Sequence, residues 1–165
     1  EMLLQPSCGN QTYCSQPAHY PSLLIARALE GQAGLLARLM DTNAPDVSLN
    51  AVVATEEACP TTTANIPLRV APNVRGKQMF IVNGQFGAQK LQQLVRVTTC
   101  LTEEGESCAA GNFGRIARTE CRQRHTEHKL VALDMEQEEG RAELVIDTFS
   151  LPSCCSCVIQ SFIDF

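Results

Sequence analysis

Three thiols crowd four positions near the C-terminus. In SLPSCCSCVIQ, residues 150–160, they are Cys154, Cys155 and Cys157. Cys8, Cys14, Cys59, Cys100, Cys108 and Cys121 bring the total to nine. Clustered thiols serve nucleophilic catalysis, metal ligation or cross-linking. Zinc prefers two C-x-x-C-like pairs, or one such pair with a spaced His pair. Here one residue separates Cys155 from Cys157, and seven separate Cys100 from Cys108. No Ser-His-Asp or Cys-His constellation is identifiable, and on a strand His125 and His128 face opposite sides. The reading is therefore not an enzyme, with no metal and no cofactor. Cross-linking fits the composition: eight aromatic residues in 165 (two Tyr, six Phe, no Trp) cannot fill a deep core. Each disulfide typically contributes roughly 2–4 kcal/mol, and such bonds persist in oxidising compartments.

Cys8 and Cys14 are close enough in sequence to close a small local loop. Seven thiols remain, an odd number, so one is free or pairs with another chain. Successive strand side chains point to opposite faces. Cys155 and Cys157 thus share a face, and Cys154 points the other way. Six cysteines still allow fifteen connectivities. One family of solutions bonds Cys100 and Cys108, across the acidic loop LTEEGES, to Cys155 and Cys157. That closes a ring with Ser156 as its short arm and leaves Cys59 and Cys121 to thread it, as in growth-factor cystine knots.

These thiols need strands to position them. QMFIVN (78–83) and KLQQLVRVTTC (90–100) flank GQFGA, a connection suited to a hairpin. Leu91, Val95 and Val97 fall on one face of the second run, and Leu94, Arg96 and Thr98 on the other. RTECRQRHTEHKLVALDM and RAELVIDTFSLP form a long hairpin around EQEEG, with Leu130 to Leu133 opposite Leu144 to Ile146. Arg115, Arg118, Arg122, Arg124 and Lys129 are expected to pair across it with Glu136, Glu138, Glu139 and Glu143. Upstream, PSLLIARALEGQAGLLARLMD predicts a helix starting at Pro21, with Leu24, Ala28, Leu35 and Leu39 on its packed face. Gly31 and Gly34 divide it into two short helices. Residues 41–66 have the texture of a linker. The division expected is 1–41 for the N-terminal segment with its local disulfide and helix, 42–56 for the linker and 57–165 for the strand-rich domain. The fold class is an all-β cystine knot of twisted hairpins, like nerve growth factor, with a short, partly α-helical N-terminal segment.

The net charge of -5 argues against a nucleic-acid partner. No run of 18 apolar residues provides a membrane span. There is no signal peptide, and Glu1 reads as the start of a trimmed fragment. The sequon Asn10-Gln11-Thr12 fits glycosylation in the secretory route.

From about residue 57 to residue 157 the chain resembles the Spätzle family, the secreted cystine-knot ligands of Toll receptors in arthropods. The marks are EACP, IVN at 81–83, VRVTTC, the spacing of Cys108 and Cys121, and above all SLPSCCSC. CGNQTYCSQPAHYP is similar to the cysteine-containing stretch of the family's pro-regions. The resemblance implies Cys59–Cys121, Cys100–Cys155 and Cys108–Cys157 within the chain, and Cys154 bonded to its counterpart in a second copy. It implies a secreted, extracellular, covalently dimeric, cytokine-like ligand that engages a Toll-type receptor ectodomain in immune or developmental signalling. It further implies a precursor activated by a trypsin-like or furin-like protease. Arg38, in LLAR-LMDT, is the better candidate cleavage site, Arg27 the other, and RIAR (115–118) reads as a solvated loop. No receptor-binding residue is carried over. A structural clotting protein like coagulogen, which shares the fold and polymerises after cleavage, is the alternative.

Overall fold

The computed structural model describes residues 5–30, 32, 51–54, 58–103, 105–109, 111, 117–135 and 142–161. Among the described residues one helix, α1 (Ser22–Leu29), precedes nine strands. They are β1 (Val52–Ala54), β2 (Thr61–Pro67), β3 (Val70–Pro72), β4 (Gln78–Ile81), β5 (Gly84–Phe86), β6 (Gln89–Leu91), β7 (Leu94–Cys100), β8 (Ala117–Asp134) and β9 (Glu143–Ser161). The architecture is thus essentially all-β. Among the described residues the strands form three sheets, ordered β1-β2-β7, β3-β4-β8-β9 and β5-β6. The β-branched residues of TTTANIP and LVRVTTC suit a pleated, half-buried surface, and Thr63 and Thr98 share a 2.9 Å hydroxyl contact between β2 and β7.

The chain divides into two compact units. One gathers the described residues within 1–47, 66–95 and 127–150. Its core joins Ile25 and Leu29 of α1 to Val70, Phe80, Val82, Phe86, Leu91, Val131 and Leu133. Leu130 to Leu133 are buried at successive positions, so both faces of β8 are covered there. The turn from β3 to β4 is shaped by Asn73, whose Oδ1 accepts the backbone N–H groups of Arg75 and Lys77 at 3.0 and 2.9 Å. Gly76 completes it at φ 80°, a left-handed conformation that costs glycine little. The other unit, within 48–65, 96–126 and 151–165, contains a buried cluster of Cys59, Cys108 and Cys121, with Cys155 and Cys157 packed against it.

Several sequence expectations change. β4 pairs with β3 and β8, and β7 with β2, so 78–83 and 90–100 are not the two arms of one hairpin. The intervening GQF and QKL pair with each other instead, Gly84 opposite Leu91 and Phe86 opposite Gln89. Gln93 explains the break after β6. Its backbone N–H donates to Asn83 Oδ1, and its side chain bonds Val82 and Val131. Residues 61–66, read with the linker, form most of β2, and Val52–Ala54 pairs with Thr61 to Thr63. The residues that α1 buries fully are Ile25 and Leu29, while the expected Leu24 and Ala28 pack half-buried against the same core. Pro21 stands at its N-cap as expected, while Leu35 and Leu39 lie outside the described residues. Arg118 lies within β8 rather than a loop; Arg115 and Ile116 are outside the described residues.

Candidate functional site

The disulfide unit is built where β7, β8 and β9 carry cysteines. Cys59 bonds Cys121, Cys100 bonds Cys155 and Cys108 bonds Cys157, with S–S distances of 2.03, 2.05 and 2.03 Å. The sulfurs of Cys59, Cys108 and Cys121 lie within 4.8 Å of one another. Being spent as disulfides, they offer no thiolate to a metal. The pairs span 62, 55 and 49 residues of sequence. By chain entropy each removes about 4 kcal/mol of freedom from the unfolded state.

Cys154 carries no disulfide and is exposed. The alternation of β9 accounts for this: Cys155 and Cys157 turn toward the sulfur cluster, and their neighbour turns to solvent. Its surroundings are polar. Gln123 Nε2 approaches the carbonyls of Thr98, Arg124 and Cys154 at 2.9, 3.0 and 2.9 Å. Gln123 Oε1 accepts the backbone N–H of Cys100 at 2.8 Å. Arg124 Nε donates to Ser156 Oγ at 2.9 Å, and the nearby Arg122 pairs with Glu120 on its own strand. The expected cross-strand partners Glu136, Glu138 and Glu139 lie outside the described residues.

A second constellation forms in the other unit, around residues 8–29. Cys8 bonds Cys14 and closes a loop that presents Asn10 to solvent. Cys14 forms an antiparallel bridge with Val70: its N–H donates to Val70 O at 2.9 Å and its carbonyl accepts from Val70 N at 3.1 Å. Tyr20 donates its hydroxyl proton to Ile81 O at 2.7 Å and accepts the Asn83 N–H at 2.9 Å. Arg69 stacks its guanidinium 4.8 Å from the Tyr20 ring centroid, and Phe80 meets that ring edge-on at 6.1 Å. Burial pushes the Tyr20 phenol up to about 12, outweighing the Asn83 hydrogen bond and the Arg69 charge. Asn83, 1% exposed, spends its side chain on Leu68 O, Gln93 O and Gln93 N–H. Arg27 lies exposed within α1, and Arg38 is outside the described residues.

Sequence reasoning singled out the cysteines, Asn10 and the two arginines, but missed Tyr20, Gln93 and Gln123. Asn83 was visible only as a letter of IVN. A polar residue interrupting an apolar run was the available signal for Asn83 and Gln93; Gln123, within a polar run, gave none.

The class defined by these features is an all-β, cystine-knot-like disulfide protein. The Spaetzle family model matches residues 56–159, well over half of the sequence, and the chain belongs to the Spätzle family. It is 36% identical over 103 residues to Protein spaetzle 5 of Drosophila melanogaster. That alignment covers 62% of this chain and 24% of the relative, so the chain spans about a quarter of the relative's length. The family is one of secreted signalling ligands rather than enzymes. Among the described residues no helix is long and apolar enough to cross a membrane.

Proposed function

We propose that this chain is an extracellular, disulfide-linked dimeric ligand that binds a Toll-type receptor after proteolytic activation, in immune or developmental signalling. The observation that carries the reading is Cys154, exposed and unpaired beside two neighbours bound in the sulfur cluster. A thiol turned outward on a rigid strand suits a bond to its counterpart in a second copy. The two-fold dimer so formed presents every receptor-facing patch twice. Four disulfides in 165 residues support an oxidising, extracellular setting.

Residues 1–41 are proposed as a pro-region, 42–56 as the linker and 57–165 as the ligand domain. The contacts of Cys14, Tyr20, Ile25 and Leu29 support a covering role for that pro-region, since they take up the edge of β3 and part of an apolar core. Arg38 is the preferred cleavage site, because a cut there leaves the whole linker on the ligand domain, whereas Arg27 lies within α1. The exposed Asn10 is the proposed glycan acceptor.

The test is a pull-down with a panel of Toll ectodomains, using intact and protease-clipped protein, beside non-reducing gels of wild type and Cys154→Ser. The expected result is a wild-type dimer that Cys154→Ser abolishes, and receptor capture that rises after clipping. Polymers after clipping, or no capture by any ectodomain, would overturn the reading.

A further inference from the structure

The adjacent thiols Cys154 and Cys155 pose a selection problem. The bond to Cys100 spans 55 residues of sequence, and one to Cys154 would span a single residue fewer. Loop-closure entropy varies only with the logarithm of loop length, so the unfolded chain scarcely distinguishes the two. The thiols also exchange without any oxidant. A Cys154 thiolate attacks Cys100 Sγ, the Cys100–Cys154 bond forms as the Cys100–Cys155 bond breaks, and Cys155 leaves as the thiolate and takes up a proton. Selection must come from the folded register of β9, because a one-residue slip turns every side chain to the other face.

We propose that Gln123 is the positioning residue that selects Cys155, rather than Cys154, as the partner of Cys100. Its single side chain grips both sides of the choice. The carboxamide oxygen holds the Cys100 N–H, and the carboxamide nitrogen holds the Thr98 and Cys154 carbonyls. β7 belongs to the three-stranded sheet, and β8 and β9 to the four-stranded one. From β8, the Gln123 side chain therefore ties β7 to β9 across sheets. The neighbouring Arg124 reinforces the register from both flanks of the thiol pair: its carbonyl accepts from Ser153 Oγ at 3.4 Å, and its Nε donates to Ser156 Oγ. With the Cys154 carbonyl fixed toward Gln123, strand geometry turns its thiol outward and sends the next one to Cys100. The inference rests on Cys154 being the spare thiol, not on its bonding a second chain.

The test equilibrates the whole chain in a glutathione redox buffer and maps the disulfides by mass spectrometry of peptides. The chains compared are wild type, Gln123→Leu, Gln123→Glu and the double variant Gln123→Leu/Cys154→Ser. Losing the carboxamide's bonds raises the ratio of Cys100–Cys154 to Cys100–Cys155 about tenfold in Gln123→Leu. Gln123→Glu, which keeps the acceptor for Cys100 but sets a carboxylate oxygen against the Thr98 and Cys154 carbonyls, shifts it in the same direction. The double variant, lacking the competing thiol, returns to the Cys100–Cys155 bond and to wild-type folding yield. A Gln123→Leu map identical to wild type overturns the proposal. So does a double variant that misfolds or mispairs as badly as the single one, since removing the competitor rescues a selection defect and not a general structural one. The map reads the partner of Cys100 within one chain, so it tests this selection whether or not the chain dimerises.

Discussion

In the unit that contains α1, Ile25, Phe80 and Leu133 interlock in one apolar cluster, whereas in the unit that contains Cys154 the cluster consists of cysteines bonded in pairs. Apolar burial acts on the folded state, at about 25 cal/mol per Å² removed from water. A disulfide acts chiefly by restricting the unfolded chain. The first unit should therefore answer to side-chain volume and to the presence of residues 13–29, and the second to redox conditions. The largest expected effect belongs to the second. Replacing both Cys59 and Cys121 by Ser removes the link that spans 62 residues, and should cost about 4 kcal/mol in denaturant unfolding. Hydrogen exchange refines the comparison: amides of Thr98 to Cys100 should lose protection before those of Phe80 to Val82. Simultaneous loss would mean that the units do not respond separately.

Next in size is Ile25→Ala, expected to cost about 2–4 kcal/mol. Ile25 is 0% exposed although it lies in a short helix whose neighbour Leu23 is 79% exposed. A cost below about 1 kcal/mol would show that α1 rests on the core without completing it. The same variant sharpens the proposed covering role, because weaker packing of α1 should raise receptor capture by the unclipped chain.

The all-β character was legible because its signals are local. Val and Thr recur in KLQQLVRVTTC, and Leu130 to Leu133 announce a run covered on both faces. The odd number of thiols was legible by arithmetic, and the pleat distinguishes Cys154 from Cys155. Strand neighbours were not legible in the same way. Alternation in KLQQLVRVTTC shows which side chains point inward, as Val95 and Val97 do, but not that β2 rather than β4 lies alongside. That choice depends on polar hubs such as Gln93, which breaks the run at a point no periodicity marks. The fully buried line of α1 lies one position from the expected Leu24 and Ala28, which pack half-buried beside it, for a related reason. In a helix of eight residues several apolar stripes compete, and the surface beneath decides among them.

Tyr20→Phe probes a smaller part of the same contrast, one hydroxyl within the apolar unit. It leaves Ile81 O and Asn83 N–H without their shared partner, and should cost about 1–2 kcal/mol. Its pH dependence is distinctive. The phenol is raised from 10.0 to about 12 in the folded chain, so its contribution is complete below pH 10 and disappears as pH rises through about 12. Thermal unfolding between these limits should show a decline that Tyr20→Phe reduces. An equal decline in both chains would assign the alkaline loss to other groups.

The smallest effect expected concerns Asp147, where charge enters the apolar unit. Partial burial pushes its carboxyl upward, but hydrogen bonds from Asn73 and the Thr148 N–H, with the Arg75 hydrogen bond and charge, outweigh this and hold it below 3.8. A depressed carboxylate stabilises the fold above its unfolded value, and that stability is lost as pH falls through the folded one. Asp147→Asn should therefore flatten the acid limb of stability below about pH 4 and cost under about 1 kcal/mol at neutral pH. The partners contribute unequally. Arg75 is 74% exposed, against 16% for Asp147, and water and salt screen an ion pair of that kind. Asn73 is 4% exposed and reaches Asp147 at 2.8 Å while shaping the turn from β3 to β4. Arg75→Ala should thus change the acid limb less than Asp147→Asn does, and 1 M salt should leave most of it in place. If salt erased it, exposed charge rather than buried hydrogen bonding would be the force acting there, and the unit would be less dependent on its interior than its packing indicates.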